Sequence, residues 1–130
     1  MSIYLVGVSN KQQPEAPIEW VGSSLEDLRD LPAAARQDIG YQLEQIQFGN
    51  DPDDWRAMPG VGAGCREIRV RTADGAYRTF YATKFDNYVY VLHVFTKKTQ
   101  TTTQHDLAIG KKRYSQARDI ARHRTNKENQ

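Results

Sequence analysis

Long apolar runs are missing from this chain of 130 residues. No stretch approaches the roughly eighteen apolar residues of a membrane-spanning helix. The first apolar segment, IYLVGV, has neither a basic flank before it nor a small-residue cleavage site after it, which speaks against a signal peptide. Cysteine occurs once, at Cys65. That excludes an internal disulfide and suits a reducing cytoplasm, the expected location. The simplest role for Cys65 is a small buried hydrophobe. Histidine occurs three times, at His93, His105 and His123, without metal-ligand spacing or a neighbouring cysteine pair, so no zinc site is expected. A glycine-rich phosphate loop is also absent, because VGAG leads into a strand and not a helix. No serine sits at a nucleophile elbow. The chemistry expected here uses no metal and no cofactor.

Acidic residues are scarce in one part of the chain. Residues 1–95 carry nine Lys/Arg against thirteen Asp/Glu, whereas residues 96–130 carry nine against three. Charge segregated in this way points to an anionic partner for the basic end, or to a solvated basic tail. The basic segment has no bulky apolar face, which favours nucleic acid over a membrane surface. Hydrophobic residues at 38% and charged residues at 26% are in balance for a single globular domain.

Residues 1–16 read as an N-terminal extension: IYLVGV as a short strand, then a polar, proline-bearing linker. Residues 17–124 read as the domain and 125–130 as a polar tail. IEWV forms a strand, and Ser23 with Glu26 suggests a capping box over Leu25, Leu28 and Leu31. Pro32 opens a second helix with Ala35, Ile39, Leu43 and Ile46 on one face. The two make a helical hairpin or one kinked helix. The proline-, glycine- and aspartate-rich stretch 50–64 reads as loop. REIRVRT alternates strictly, and Asp74-Gly75 marks a hairpin turn into YRTFYATK. NYVYVLHVF is nearly all apolar, as in a central strand covered on both faces. Thr102 or Thr103 caps a last helix that packs through Leu107, Tyr114, Ala117 and Ala121. The expected fold is α+β, a mainly antiparallel sheet with its helices over one face.

What remains for chemistry is cationic. With Ile68 and Val70 buried, Arg69 and Arg71 project from the other face of their strand, with Arg66 at its start. Arg78 lies across the hairpin, and Lys97 and Lys98 end the last strand. Such a cluster neutralises phosphodiester charge. It also stabilises the charge gathered on phosphorus when a ribose 2′-hydroxyl attacks it. Decoration of a solvated sheet face is the plainer alternative. Tyr81 and Tyr88 are read either as core aromatics or as a stacking platform or proton-transfer hydroxyl. Lys111, Lys112 and Arg113 give the last helix a basic face suited to RNA backbone.

IEWVGSSLEDLRDLP, PDDW, REIRV, AYRTFY and YVLHVFTKKTQTT together resemble the phage-derived HigB-like toxins of the RelE/ParE superfamily over roughly residues 17–120. Thr96 departs from the pattern, standing where relatives often carry a longer polar residue such as glutamine. The resemblance implies an RelE/ParE-like domain: a helical hairpin on a mainly antiparallel sheet, with a C-terminal helix. It implies the toxin of a type II toxin–antitoxin pair, an endoribonuclease that cuts messenger RNA, usually on the ribosome. Its partner would be a small helix-turn-helix antitoxin, HigA-like. By motif, the catalytic positions would be Arg69, Arg78, Tyr81, Lys97 and Lys98, with Glu67 orienting Arg69. Superfamily members that poison gyrase share the fold without these residues. A protein inhibitor of that kind, or a phage RNA-binding regulatory module, remains the alternative.

Overall fold

The computed structural model describes residues 15–128, so the expected strand IYLVGV lies outside the described residues. The elements are β1 (Ile18–Trp20), α1 (Ser24–Arg29), α2 (Ala33–Gln47), β2 (Trp55–Ala57), β3 (Arg66–Thr72), β4 (Gly75–Ala82), β5 (Val89–Lys97) and α3 (Gln104–Glu128). The sheet has the order β1-β5-β4-β3-β2. Three of its four interfaces are antiparallel and β1 joins β5 in parallel. That pairing, made after α1 and α2 have crossed the sheet, gives a mixed α+β fold.

The helices lie on both faces of the sheet, not on one as expected. Leu28, Ala35, Ile39, Leu43 and Ile46 of α1 and α2 pack with Ile68, Val70, Tyr77, Tyr81, Val91 and Val94. On the opposite face Tyr114, Ala117 and Ala121 of α3 pack with Phe80, Ala82, Tyr90 and Leu92. The uninterrupted apolar run of β5 follows from this two-sided burial, which removes the polar alternation of a half-exposed strand. Phe80 faces His93 while Tyr81 faces Val91, so Leu92 is an extra residue bulged out of the ladder. The bulge puts Leu92 and His93 on the α3 face in succession and fixes the phase of the residues that follow. Phe95 and Lys97 therefore also point to that face.

Several local expectations need correction. The stretch 50–64 contains β2, a three-residue edge strand paired with β3 through Trp55–Ile68, Arg56–Glu67 and Ala57–Arg66. Three residues are too few for alternation to show. The Ser23 hydroxyl makes no capping bond; it donates to Asp27 Oδ2 at 2.8 Å and accepts from Arg113 Nη2 at 2.9 Å. Thr103 is the residue that caps α3: its Oγ1 accepts from the Asp106 N–H at 3.1 Å and donates to Asp106 Oδ2 at 2.8 Å. α3 runs on to Glu128, through most of the expected tail. Gly110, a poor helix former, is needed where it stands. A Cβ there would meet Phe80 Cδ2 at 2.8 Å, so the glycine lets α3 lie close on the sheet.

Candidate active site

Arg69 of β3 and Arg78 of β4 are direct cross-strand partners on the α3 face. Like charges placed opposite each other destabilise a sheet unless an anion intervenes. Here the anion is Glu67, two residues before Arg69 and therefore on the same face. Its side chain is 2% exposed, with Oε1 3.4 Å from Arg69 Nε and 3.7 Å from Arg78 Nε. Arg78 is buried as well and donates through Nη1 to the Tyr77 carbonyl at 3.1 Å. Burial holds the Arg78 pKa below its ordinary value, with Glu67 acting in the opposite sense. One carboxylate thus serves two guanidinium groups, and their remaining N–H donors are left for an anionic ligand.

Those groups open on a cavity of about 180 Å³ lined by Arg56, Glu67, Arg69, Arg78, Lys97 and Thr102, among others. Lys97 reaches it from the last position of β5. Its Nζ donates to the Gln100 carbonyl at 2.7 Å, which holds the ammonium at the rim. The fourth wall is the polar segment 98–103 between β5 and α3. Thr102 Oγ1 donates from it to Glu67 Oε2 at 3.2 Å. The pocket has the size and sign for one phosphate group with part of its sugar.

The expected site residues in and beside the sheet separate into three groups. Arg69, Arg78 and Lys97 come together. Arg71 and Lys98 do not line that cavity but sit on its outer shoulder, where with Lys97 they border a shallow depression of about 460 Å³. Tyr81 and Arg66 lie on the opposite face, with the α1 and α2 core. Tyr81 is 2% exposed, and burial raises the pKa of its hydroxyl. Strand alternation accounts for this: Tyr81 is three residues from Arg78 and so points the other way. Arg66 stacks on Trp55 at 3.8 Å from the ring centroid and pairs with Asp51 at 2.9 Å.

On α3, Lys111 and Lys112 are exposed, while Arg113 turns inward. Arg113 donates to the Leu92 carbonyl at 3.1 Å and to Ser23 Oγ at 2.9 Å, so it clamps α3 to β5 and to the start of α1. It is a structural residue and not part of a backbone-binding surface. The exposed face of Tyr88 is likewise occupied, by the Arg124 guanidinium at 3.4 Å from the ring centroid. Cys65 is buried, and its thiol pKa is pushed up to about 12 by that burial first and by Glu67 second, as befits an inert side chain. Among the described residues no group of three His, Cys, Asp or Glu side chains is placed to hold a metal ion. No described helix is long and apolar enough to cross a membrane.

Arg56 and Thr102 are among the cavity residues that sequence reasoning did not place at the site. Arg56 lies opposite Glu67 in β2, and reading WRA as a strand would have aimed it at the same face as Arg69. Thr102 lies in a Thr/Gln segment with no periodicity to read.

The family model for phage-derived Gp49-like proteins (DUF891) matches residues 26–115. The chain belongs to that family. The matched segment holds every residue of the cavity and ends within α3. A comparison with curated proteins gave no match.

Proposed function

We propose that this Gp49-like protein is the toxin of a type II toxin–antitoxin pair and acts as an endoribonuclease on messenger RNA, on the ribosome. The observation that carries the reading is the cavity in which Arg69, Arg78 and Lys97 converge around one buried carboxylate. Membership of a phage-derived family supports it, since Gp49-like proteins are of the RelE/HigB toxin type.

The chemistry follows from charge. Attack of a ribose 2′-oxygen on the adjacent phosphorus forms the O2′–P bond, breaks the P–O5′ bond and releases the hydroxyl proton to solvent. Negative charge builds on the non-bridging oxygens and on the departing O5′. Arg78, buried, and Arg69 beside it stabilise the former. Lys97 stabilises the latter and donates its proton to it. The products are a 2′,3′-cyclic phosphate and a 5′-hydroxyl. Lys111 and Lys112, on exposed helix surface, hold RNA backbone or receive an acidic segment of a helix-turn-helix antitoxin. Both partners belong to the cytoplasm.

Inducing expression and mapping the 5′ ends of cellular transcripts tests this. New ends inside reading frames are the expected result. DNA breaks with intact messages would replace the ribonuclease with a gyrase poison.

A further inference from the structure

We propose that Thr102 is a positioning residue of this site: its hydroxyl fixes the plane of the Glu67 carboxylate, and through it the two guanidinium groups that receive the phosphate. The inference rests on the ribonuclease reading above and assigns a role to the segment between β5 and α3. Glu67 is attached to its arginines only through Oε1, at 3.4 and 3.7 Å. Both contacts are longer than the roughly 2.7–2.9 Å of a strong charge-assisted hydrogen bond. The terminal torsion of a glutamate is broad and roughly two-fold, so two long contacts to one oxygen leave the carboxylate free to pivot. The bond from Thr102 Oγ1, at 3.2 Å, is also longer than a strong charge-assisted bond, but it engages the oxygen that the arginines leave and so limits the pivot.

Thr102 is itself anchored on both sides. Before it, Lys97 Nζ holds the Gln100 carbonyl at 2.7 Å. After it, Thr103 is fixed as the cap of α3 through Asp106. The segment is thus a strap whose ends are set by a residue of the cavity and by a helix start. Its one bond into the floor of the cavity goes to the carboxylate that both arginines share. Loss of the Thr102 hydroxyl would let Glu67 rotate, and Arg69 and Arg78 would move with it. Misplacement of that order lowers rates by up to about a hundredfold.

The test compares Thr102→Val, which keeps the shape, with Thr102→Ser, which keeps the hydroxyl, in single-turnover cleavage of a messenger bound to purified ribosomes. The expected result is a maximal rate about tenfold lower in Thr102→Val. Half-saturating concentration should hold near wild type, the melting temperature of Thr102→Val should fall slightly through the bond lost to a buried carboxylate, and Thr102→Ser should restore most of both rate and stability. In a Glu67→Gln background, Thr102→Val should cause little further loss, because the two act as one unit. Equal rates for wild type and Thr102→Val overturn the proposal, as does a Thr102→Ser variant no better than Thr102→Val. A tenfold loss that persists unchanged beside Glu67→Gln also overturns it, since Thr102 would then act on the substrate directly. Wild type that leaves the messenger intact overturns the ribonuclease reading, and this role with it.

Discussion

Two regions of the sheet face under α3 use arginine in opposite ways. Toward the C-terminal end of α3, Arg124 has two carboxylates to itself, Glu19 at 2.7 Å and Asp86 at 3.1 Å, and also donates to the Tyr90 hydroxyl at 2.6 Å. Near its start the ratio is inverted, with Glu67 alone between Arg69 and Arg78, and Arg56 and Lys97 beside them. A cation with a surplus of acids is neutralised and acts as a staple. A cluster with a surplus of cations keeps donors and field for a ligand, and its repulsion is borne by the fold. The same residue type is therefore neutralised at one end and left in surplus at the other, and the partners decide which.

The largest effects should come from the cation-rich end. Arg78→Ala and Lys97→Ala should each reduce RNA cleavage by about a hundredfold or more, the scale of losing a preorganised donor to a developing anion. Growth inhibition on induction should vanish with either. Arg78→Ala also strips a partner from a buried carboxylate and should lower the melting temperature. Lys97→Ala should not, because its side chain meets only a backbone carbonyl at the surface. Lys98→Ala should stay within a few fold of wild type, since Lys98 is exposed and outside the arginine cavity. A Lys98 variant as dead as the Lys97 variant would move the reacting phosphate to the outer shoulder.

The staple should behave in reverse. Arg124→Ala leaves Glu19, Asp86 and the Tyr90 hydroxyl without their shared donor and bares the ring of Tyr88. A loss of about 1–2 kcal/mol is expected for such a partly buried cluster. In a domain of this size that is a fall of several degrees in melting temperature. The rate at low temperature should be unchanged. A catalytic defect in a fully folded Arg124→Ala protein would contradict the division between staple and cavity.

α3 contains the same contrast within three residues. Arg113→Ala should destabilise the fold by about 1 kcal/mol through the lost clamp to Leu92 and Ser23. Lys111→Ala and Lys112→Ala should leave the melting curve unmoved. Each should flatten the salt dependence of RNA binding by the share of one phosphate, about 0.7–0.9 in logarithmic slope. An unchanged slope would leave these lysines to an antitoxin or to solvent.

How much of this was legible in the sequence depends on range. Alternation in REIRVRT placed Arg69 on the face that carries the cavity, and the apolar run of β5 placed Lys97 at a strand end, because strand geometry is local. Tyr81 was misplaced despite the same alternation, since motif resemblance carries residues over without asking which face they occupy. Arg113 was grouped with its lysine neighbours because the carbonyl of Leu92 and the hydroxyl of Ser23 are brought to it only by tertiary packing. The apolar run of β5 pointed to burial on both faces, but which helix covers which face is set by tertiary packing that no local pattern encodes. Glu67 was tied to Arg69 by motif, but its burial between two arginines needed the register of β3 and β4.

The smallest effect tests a buried histidine–carboxylate hydrogen bond on the same sheet face. His93 is buried on β5, its Nε2 2.8 Å from Asp106 Oδ1, while its Nδ1 is buried without a partner. Burial lowers its pKa from the ordinary 6.5; Asp106 pulls the other way, Arg113 assists the burial, and Asp27 opposes it. A histidine whose folded pKa lies below its unfolded one contributes full stability above the unfolded value. It loses that contribution as pH falls through the folded pKa, because the unfolded chain binds the proton more readily. The melting temperature should therefore drop as pH falls below about 6.5 by more in wild type than in His93→Gln, whose amide cannot titrate. A wild-type melting curve no more sensitive to this pH range than that of His93→Gln would show that Asp106 outweighs burial and that His93 is already charged in the fold.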